Sequence, residues 1–160
     1  MFKIQKNLTL ALIMLIILNN CGYKVIDKSQ FSNLKVESFL TEGDNKLNFL
    51  IKNNLQKVLG NNQGDERVYF KLKTVKEKEV REKNDSNRIT KYQIKIITTV
   101  MLNFLDTGKT QNFNISVIGN YDVSDNHSTT INNQNDLEKN LSDETADLII
   151  RELILRINDN

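Results

Sequence analysis

The sequence has no proline, one histidine and one cysteine among its 160 residues. One cysteine excludes an intramolecular disulfide, and one histidine leaves a zinc site dependent on carboxylates, which is improbable. About eight prolines are expected at average usage. Their absence, with abundant asparagine, lysine and isoleucine, indicates the codon bias of an AT-rich bacterial genome. A single asparagine or lysine is therefore weak support for any function.

Only one long apolar run is present, and it lies near the N-terminus. Lys3 and Lys6 precede an uncharged, apolar-rich segment from Leu8 to Leu18, which is the pattern of a secretion signal. The run is much shorter than the about 20 residues that a membrane-spanning helix needs. The sequence therefore predicts export, with residues 1–20 as a signal peptide, 21–30 as a tether and 31–160 as a single domain.

The exported chain is expected to be neutral. The full chain has 22 basic and 20 acidic side chains, and removal of Lys3 and Lys6 with the signal leaves equal numbers of each. Phosphate binding relies on an excess of basic side chains. Nucleic acid is therefore not expected as a partner.

The segment from Leu18 to Cys21 resembles the lipobox of bacterial lipoproteins, in which the cysteine becomes the lipid-bearing first residue. The resemblance implies that Cys21 is the lipid attachment site, with palmitate as a typical acyl chain. Several acyl chains anchor a protein durably, whereas one holds it only marginally. Gly22, rather than an aspartate, follows the cysteine, which implies an outer-membrane location with the domain facing the periplasm.

Apolar spacing predicts the order strand, helix, strand, strand, strand, helix. The strands are expected over 31–40, 67–80, 89–105 and 113–121, and the first helix over 45–59 with Asn45 as its N-cap. The polar residues 122–135 predict a mobile loop before a closing helix from Asp136 or Ser142. The long third strand predicts a bend or bulge near Ile97, and the lysines at the far end of the second strand, residues 76–83, predict a sheet edge. The predicted fold class is α+β, with two helices packed on one face of a four-stranded, mostly antiparallel sheet.

Catalytic chemistry finds little support in the sequence. Asp125, His127 and Ser128 have the residue types of a hydrolytic triad, but they are close neighbours in a polar segment. Triads are assembled in space from separate segments. We expect no catalytic residue, no metal and no cofactor.

The outward face of the sheet is predicted to be polar and mostly uncharged. Outer-membrane barrels have polar interiors, so a face of this kind suits burial inside one. A solvated surface biased by codon usage is the alternative. Apolar residues interrupt the face, and clustered exposed apolar residues often mark a partner site. The polar residues are Gln93, Lys95, Thr99, Asn103, Asn112, Asn114, Ser116 and Asn120, and the apolar ones are Ile97, Met101, Leu105 and Ile118.

Basic residues cluster around the turn between the second and third strands, where Arg88, Lys91 and Lys95 follow Arg81 and Lys83. Arginine offers paired donors to a phosphate, and lysine offers a point charge. We therefore predict Arg88, Lys91 and Lys95 as lipopolysaccharide-binding residues. Because glutamates and aspartates are interspersed, a solvated, salt-bridged loop is the alternative.

The Cys21-Gly22-Tyr23 start, the order of elements and the amphipathic pattern of residues 141–157 together resemble the lipopolysaccharide-assembly outer-membrane lipoprotein family. The resemblance implies a plug inside the β-barrel that translocates lipopolysaccharide. Such a plug helps the barrel assemble and assists delivery of lipopolysaccharide to the outer leaflet. Its partners are then the barrel, lipopolysaccharide and, through the lipid anchor, the membrane.

Two other classes of function remain open. The first is a lipoprotein that serves as an auxiliary subunit of a lipid-transport system or as an activator of a cell-wall synthase. It predicts a soluble periplasmic partner instead of a barrel. The second is an enzyme.

Overall fold

The computed structural model describes residues 31–60 and 64–158. The predicted signal peptide, the tether and Cys21 lie outside these residues. The elements are β1 (Leu34–Gly43), α1 (Asn45–Leu59), β2 (Glu66–Lys83), β3 (Ile89–Phe104), β4 (Thr110–Asp122) and α2 (His127–Asn158).

The strands form one sheet in the order β1-β2-β3-β4. β1 and β2 are parallel, because α1 carries the chain back between them, and the other neighbours are antiparallel hairpins. Lys46 near the start of α1 bonds to Asn135 and Glu138, and Asn54 further along bonds to Asp143. The two helices therefore run in the same direction, and the predicted α+β architecture is confirmed.

Both helices cover the same face of the sheet. β2 and β3 turn their even-numbered apolar residues towards the helices, and β4 turns its odd-numbered ones. Full burial of one large apolar side chain contributes about 1.5–3 kcal/mol, so this covered face is the main source of stability. Its larger cluster includes Ile51, Leu55, Leu59, Phe70, Leu72, Val100, Leu102, Phe113, Ile149, Ile150 and Leu153.

The prediction of a mobile loop over 122–135 is wrong from residue 127 onwards, because α2 begins at His127. Asn126 Oδ1 accepts hydrogen bonds from the backbone N–H groups of Ser128 and Thr129, at 2.8 and 3.4 Å. These bonds satisfy donors that a helix leaves free at its start. The first turns escape detection by apolar spacing because Gln134 and Glu138, which contact the sheet side, are polar.

Two smaller predictions are corrected and a third is confirmed. Asp44, not Asn45, caps α1, and its side chain accepts a hydrogen bond from the N–H of Leu47 at 3.0 Å. β3 keeps a regular register at the predicted bulge, and the irregularities lie in β1 after Val36 and in β2 around Glu82. The predicted edge at the far end of β2 is confirmed, because β1 pairs with β2 only as far as Thr74 and leaves residues 76–83 unpaired on that side.

Gly43 ends β1 in a left-handed conformation, with φ 90°, immediately before the cap of α1. A Cβ at this position would lie 2.1 Å from the carbonyl oxygen of Thr74. Gly108 has a similar φ of 67°, but a Cβ there would meet nothing within 4 Å. Substitution at Gly108 would therefore cost only backbone strain, whereas substitution at Gly43 would add a steric clash.

We expect Gly43→Ala to lower the free energy of unfolding by clearly more than Gly108→Ala does. The left-handed conformation costs an L-residue about 1–2 kcal/mol at either position, and only residue 43 adds a clash with the sheet. Urea denaturation of both variants measures the difference. Equal losses would contradict the steric role of Gly43.

Glu138 is a buried acid at the interface of both helices with the sheet, and it is 1% exposed. Its Oε2 accepts from Lys46 Nζ at 2.6 Å, and its Oε1 accepts from Lys76 Nζ at 3.0 Å and Gln134 Nε2 at 2.9 Å. Burial disfavours the charge of Glu138, but the hydrogen bonds from Lys46, Gln134 and Lys76 outweigh it and lower its pKa. One carboxylate therefore joins α1, β2 and α2.

We expect Glu138→Gln to destabilise the protein by about 1.5–3 kcal/mol at neutral pH, the contribution of hydrogen bonds to charged groups. Because the pKa of Glu138 is lowered on folding, its contribution is present above the ordinary value of 4.5 and is lost as the pH falls through the folded-state pKa. The variant should therefore lose less stability than the unchanged chain on acidification below that value.

Thermal unfolding between neutral and acid pH measures both effects. Glu144→Gln, at an exposed position of the same helix, is the matched control and should leave the pH profile unchanged. A Glu138→Gln profile parallel to that of the unchanged chain would contradict the role of this carboxylate.

Candidate functional site

The face of the sheet opposite the helices, here called the uncovered face, carries no other element among residues 31–60 and 64–158. Successive side chains of a strand point to opposite sides, and the buried positions fix which side faces the helices. The polar residues that the sequence assigned to the outward face all lie on it. They are Gln93, Lys95, Thr99, Asn103, Asn112, Asn114, Ser116 and Asn120.

An apolar strip crosses this face and consists of Val75, Ile97 and Ile118. Val75 lies directly opposite Ile97 across β2 and β3. Ile118 is a diagonal neighbour of Ile97, which pairs with Ser116. Val75 is 44% exposed and Ile118 is 55% exposed. The strip therefore presents contiguous apolar surface across three strands, framed by polar side chains.

Sequence reasoning found Ile97, Met101 and Ile118 but missed Tyr69 and Val75, both exposed on the same face. The alternation of β2 already carried the signal, because burial of Val68, Phe70 and Leu72 turns the intervening residues outward. The fourth predicted apolar residue of the face, Leu105, falls just beyond the end of β3.

Ion pairs join neighbouring strands on the uncovered face. Lys71 contacts Glu42 at 2.6 Å, and Lys95 contacts Glu77 at 3.5 Å. The hydrogen bond from Lys71 lowers the pKa of Glu42, so that carboxylate stays ionised further into the acid range. Such exposed pairs add little stability, but each places a positive and a negative group side by side on the face.

The structure separates the predicted lipopolysaccharide-binding residues into two groups. Lys91 and Lys95 lie on the uncovered face, about 13 Å apart along β3, and Lys91 contacts Glu82 at 3.0 Å and Asp122 at 3.7 Å. Arg88 lies in the exposed turn between β2 and β3, where its backbone N–H donates to Asn84 Oδ1 at 2.9 Å. Arg88 has no ion pair within the described part of the chain.

A concave region lies at the start of α2, on the helix side of the sheet. Tyr92 and Tyr121 stack with their centroids 5.6 Å apart, and Lys78 Nζ lies 4.1 Å from the Tyr92 centroid. Asp125 and His127 line the same cavity of about 380 Å³. No hydrogen bond joins the side chains of Asp125, His127 and Ser128 in the described residues. Apolar spacing does not predict the tyrosine pair, because the pair depends on the register of β3 with β4.

No helix in residues 31–60 or 64–158 is both long and apolar enough to cross a membrane. In the same ranges, no group of three or more histidine, cysteine, aspartate or glutamate side chains is placed to hold a metal ion.

No protein-family model and no curated protein matches the chain. Solved structures do. A Caulobacter crescentus protein assigned as a lipoprotein matches with a TM-score of 0.58 and 17% identity, over 83% of this chain and 96% of its own. The rare lipoprotein B of Shewanella oneidensis matches with a TM-score of 0.58 and 13% identity, over 78% of this chain and 98% of its own.

A minor lipoprotein from Acinetobacter baumannii matches with a TM-score of 0.51 and 12% identity, over 78% of this chain and 94% of its own. This chain shares its fold with bacterial lipoproteins. At these identities the likeness concerns the arrangement of helices and strands, and it extends over nearly the whole length of each neighbour.

Proposed function

We propose that the protein is a non-enzymatic outer-membrane lipoprotein that plugs the β-barrel translocon of lipopolysaccharide and helps it assemble. The main support for this proposal is the composition of the uncovered face. Its amide and hydroxyl side chains and its paired charges match the polar interior of an outer-membrane barrel. The apolar strip of Val75, Ile97 and Ile118 supplies the apolar centre that protein interfaces have inside a polar rim.

The anchor is the second part of the proposal. The lipobox-like segment ending at Cys21 and the fold shared with bacterial lipoproteins both support a lipid-bearing N-terminus. A lipid anchor confines the domain to the membrane surface, where several acyl chains hold it durably. The domain then acts by binding, with no turnover of a substrate.

We propose further that Arg88, Lys91 and Lys95 contact the phosphates of lipopolysaccharide. Arg88 in the exposed turn offers paired donors to a phosphate, and the two lysines offer point charges. The carboxylates that pair with Lys91 and Lys95 lie on the strand surface, so a phosphate has to compete with them. This competition makes contact weaker at these two lysines than at Arg88.

The plug is tested by photo-crosslinking in the native envelope. A tagged full-length chain carries a photoreactive amino acid at Asn114, on the uncovered face, or at Glu144, exposed on α2 as the matched control. After detergent extraction, we expect a large β-barrel to be linked at position 114 and much less at 144. Recovery of only soluble partners would favour the auxiliary-subunit or activator alternative, and equal linkage from both positions would exclude the face as the contact.

The lipopolysaccharide contact is tested with the double variant Lys91→Ala, Lys95→Ala. Exposed ion pairs contribute up to about 1 kcal/mol each, so losing two should weaken lipopolysaccharide binding by up to roughly 30-fold. The control, Lys57→Ala with Lys139→Ala, removes the same charge from exposed helix positions and should change affinity little. Equal effects of the two double variants would assign binding to net charge alone.

A further inference from the structure

The two edges of the sheet differ in how they resist pairing with another strand. Natural proteins protect edge strands with charges, bulges and short length. β1 has an irregular register after Val36, and Lys35 pairs with Glu37 at 3.1 Å. β4 has no lysine, arginine or glutamate, and its only aspartate is its last residue. It also pairs with β3 in an unbroken register, so β4 is a long, regular and unprotected edge.

The backbone groups that β4 leaves free can be assigned from its hydrogen bonds to β3. At the two ends of the pairing, Phe104 N–H donates to Lys109 and Val123 N–H donates to Thr90. Bonded and non-bonded positions alternate in an antiparallel ladder. The odd-numbered residues of β4 therefore bond to β3, and the even-numbered ones point their N–H and C=O groups outward. These are Asn112, Asn114, Ser116, Ile118 and Asn120.

The side chains of β4 are complementary to their own copy when the strand is reversed about Ser116. In that register Phe113 faces Gly119 of the other copy, and Gly119 adds no side chain to the seam because Leu137 and Leu141 of its own copy pack over it. Ile115, only partly buried in one copy, faces Val117 of the other. On the uncovered face, Asn112 faces Asn120, and their amides can bond across the strands.

We propose that β4 pairs antiparallel with β4 of a second copy, centred on Ser116, to form a symmetric dimer with one continuous sheet. All outward-pointing backbone groups from Asn112 to Asn120 then find partners, because even-numbered residues face even-numbered ones. Both copies also keep their helices on the same side of the joined sheet. The arrangement is closed, because the edges that remain are β1 and the charged far end of β2 beyond Thr74 in each copy, and both are protected.

This pairing goes beyond the plug and is made mainly by another part of the molecule. The edge of β4 supplies the backbone groups, and the pairing shares with the proposed barrel contact only side chains of β4 at the border of the uncovered face. The pairing is measured on the purified chain alone, so its outcome does not depend on whether a barrel is found.

The test places one cysteine on the proposed two-fold axis of the full-length chain purified in detergent. Residues at a hydrogen-bonded antiparallel position have Cα atoms about 5.5 Å apart, within the about 4.4–6.8 Å range of disulfides. We expect mild oxidation to link most molecules of Ser116→Cys into covalent dimers. Ser38→Cys, also exposed but on the β1 edge, is the matched control, and the unchanged chain gives the baseline of Cys21.

A second variant tests the same contact without a new bond. Ser116→Lys brings two like charges opposite each other at the axis, which disfavours pairing. We expect Ser116→Lys to sediment as a monomer and Ser38→Lys to sediment as a dimer. The Ser116→Lys monomer should keep its melting temperature, which shows that each copy remains folded. A monomeric unchanged chain, or covalent dimers formed as readily through residue 38 as through 116, would overturn the proposal.

Discussion

The arrangement of the molecule depends on the burial of one face of the sheet and not the other. Phe113, Val117 and Tyr121 of β4 are buried on the helix side, while the amides that alternate with them lie on the opposite side. Packing α2 on the opposite side would expose those apolar groups and cover Asn112 and Asn114. Burying an amide without a partner costs about 1–3 kcal/mol. Both helices therefore share one side, and the other side is left for water or a partner.

The long helix is positioned by polar contacts as well as by apolar ones. Glu138 meets Lys46 of α1 and Lys76 of β2, and a shift of α2 by one turn, about 5.4 Å, would separate it from both. A buried ion pair of this kind adds less stability than apolar packing would, but it disfavours alternative registers. Next to it, Gly119 leaves room for Leu137 and Leu141 to approach the sheet closely. The apolar core thus stabilises the fold, while the carboxylate and the glycine fix where the helix lies.

The sequence predicts those parts of the fold that repeat a regular apolar pattern. The alternation of β3 and β4 defined both strands and the composition of the uncovered face. The start of α2 was missed because its inward side chains are polar. One of them is Glu138, whose partner on β2 lies 62 residues away and whose partner on α1 lies 92 residues away. The tyrosine pair and the strip of Val75, Ile97 and Ile118 also depend on strand register, which a single sequence does not specify. Likewise, the basic residues near the turn were visible in the sequence, but their carboxylate partners were not.

The two ends of the sheet differ, because β2 is longer than β1 and extends beyond it at one end. The chain enters the sheet at Leu34, opposite Glu66, and the turn after Lys83 lies at the other end of β2. An extended strand of that length measures about 60 Å, whereas a bilayer with its headgroups is about 40–45 Å thick. The end at which the chain enters the sheet and the turn that carries Arg88 are therefore separated by more than the thickness of a bilayer. Two ligands bound at the two ends would be kept apart by a distance that the length of β2 sets.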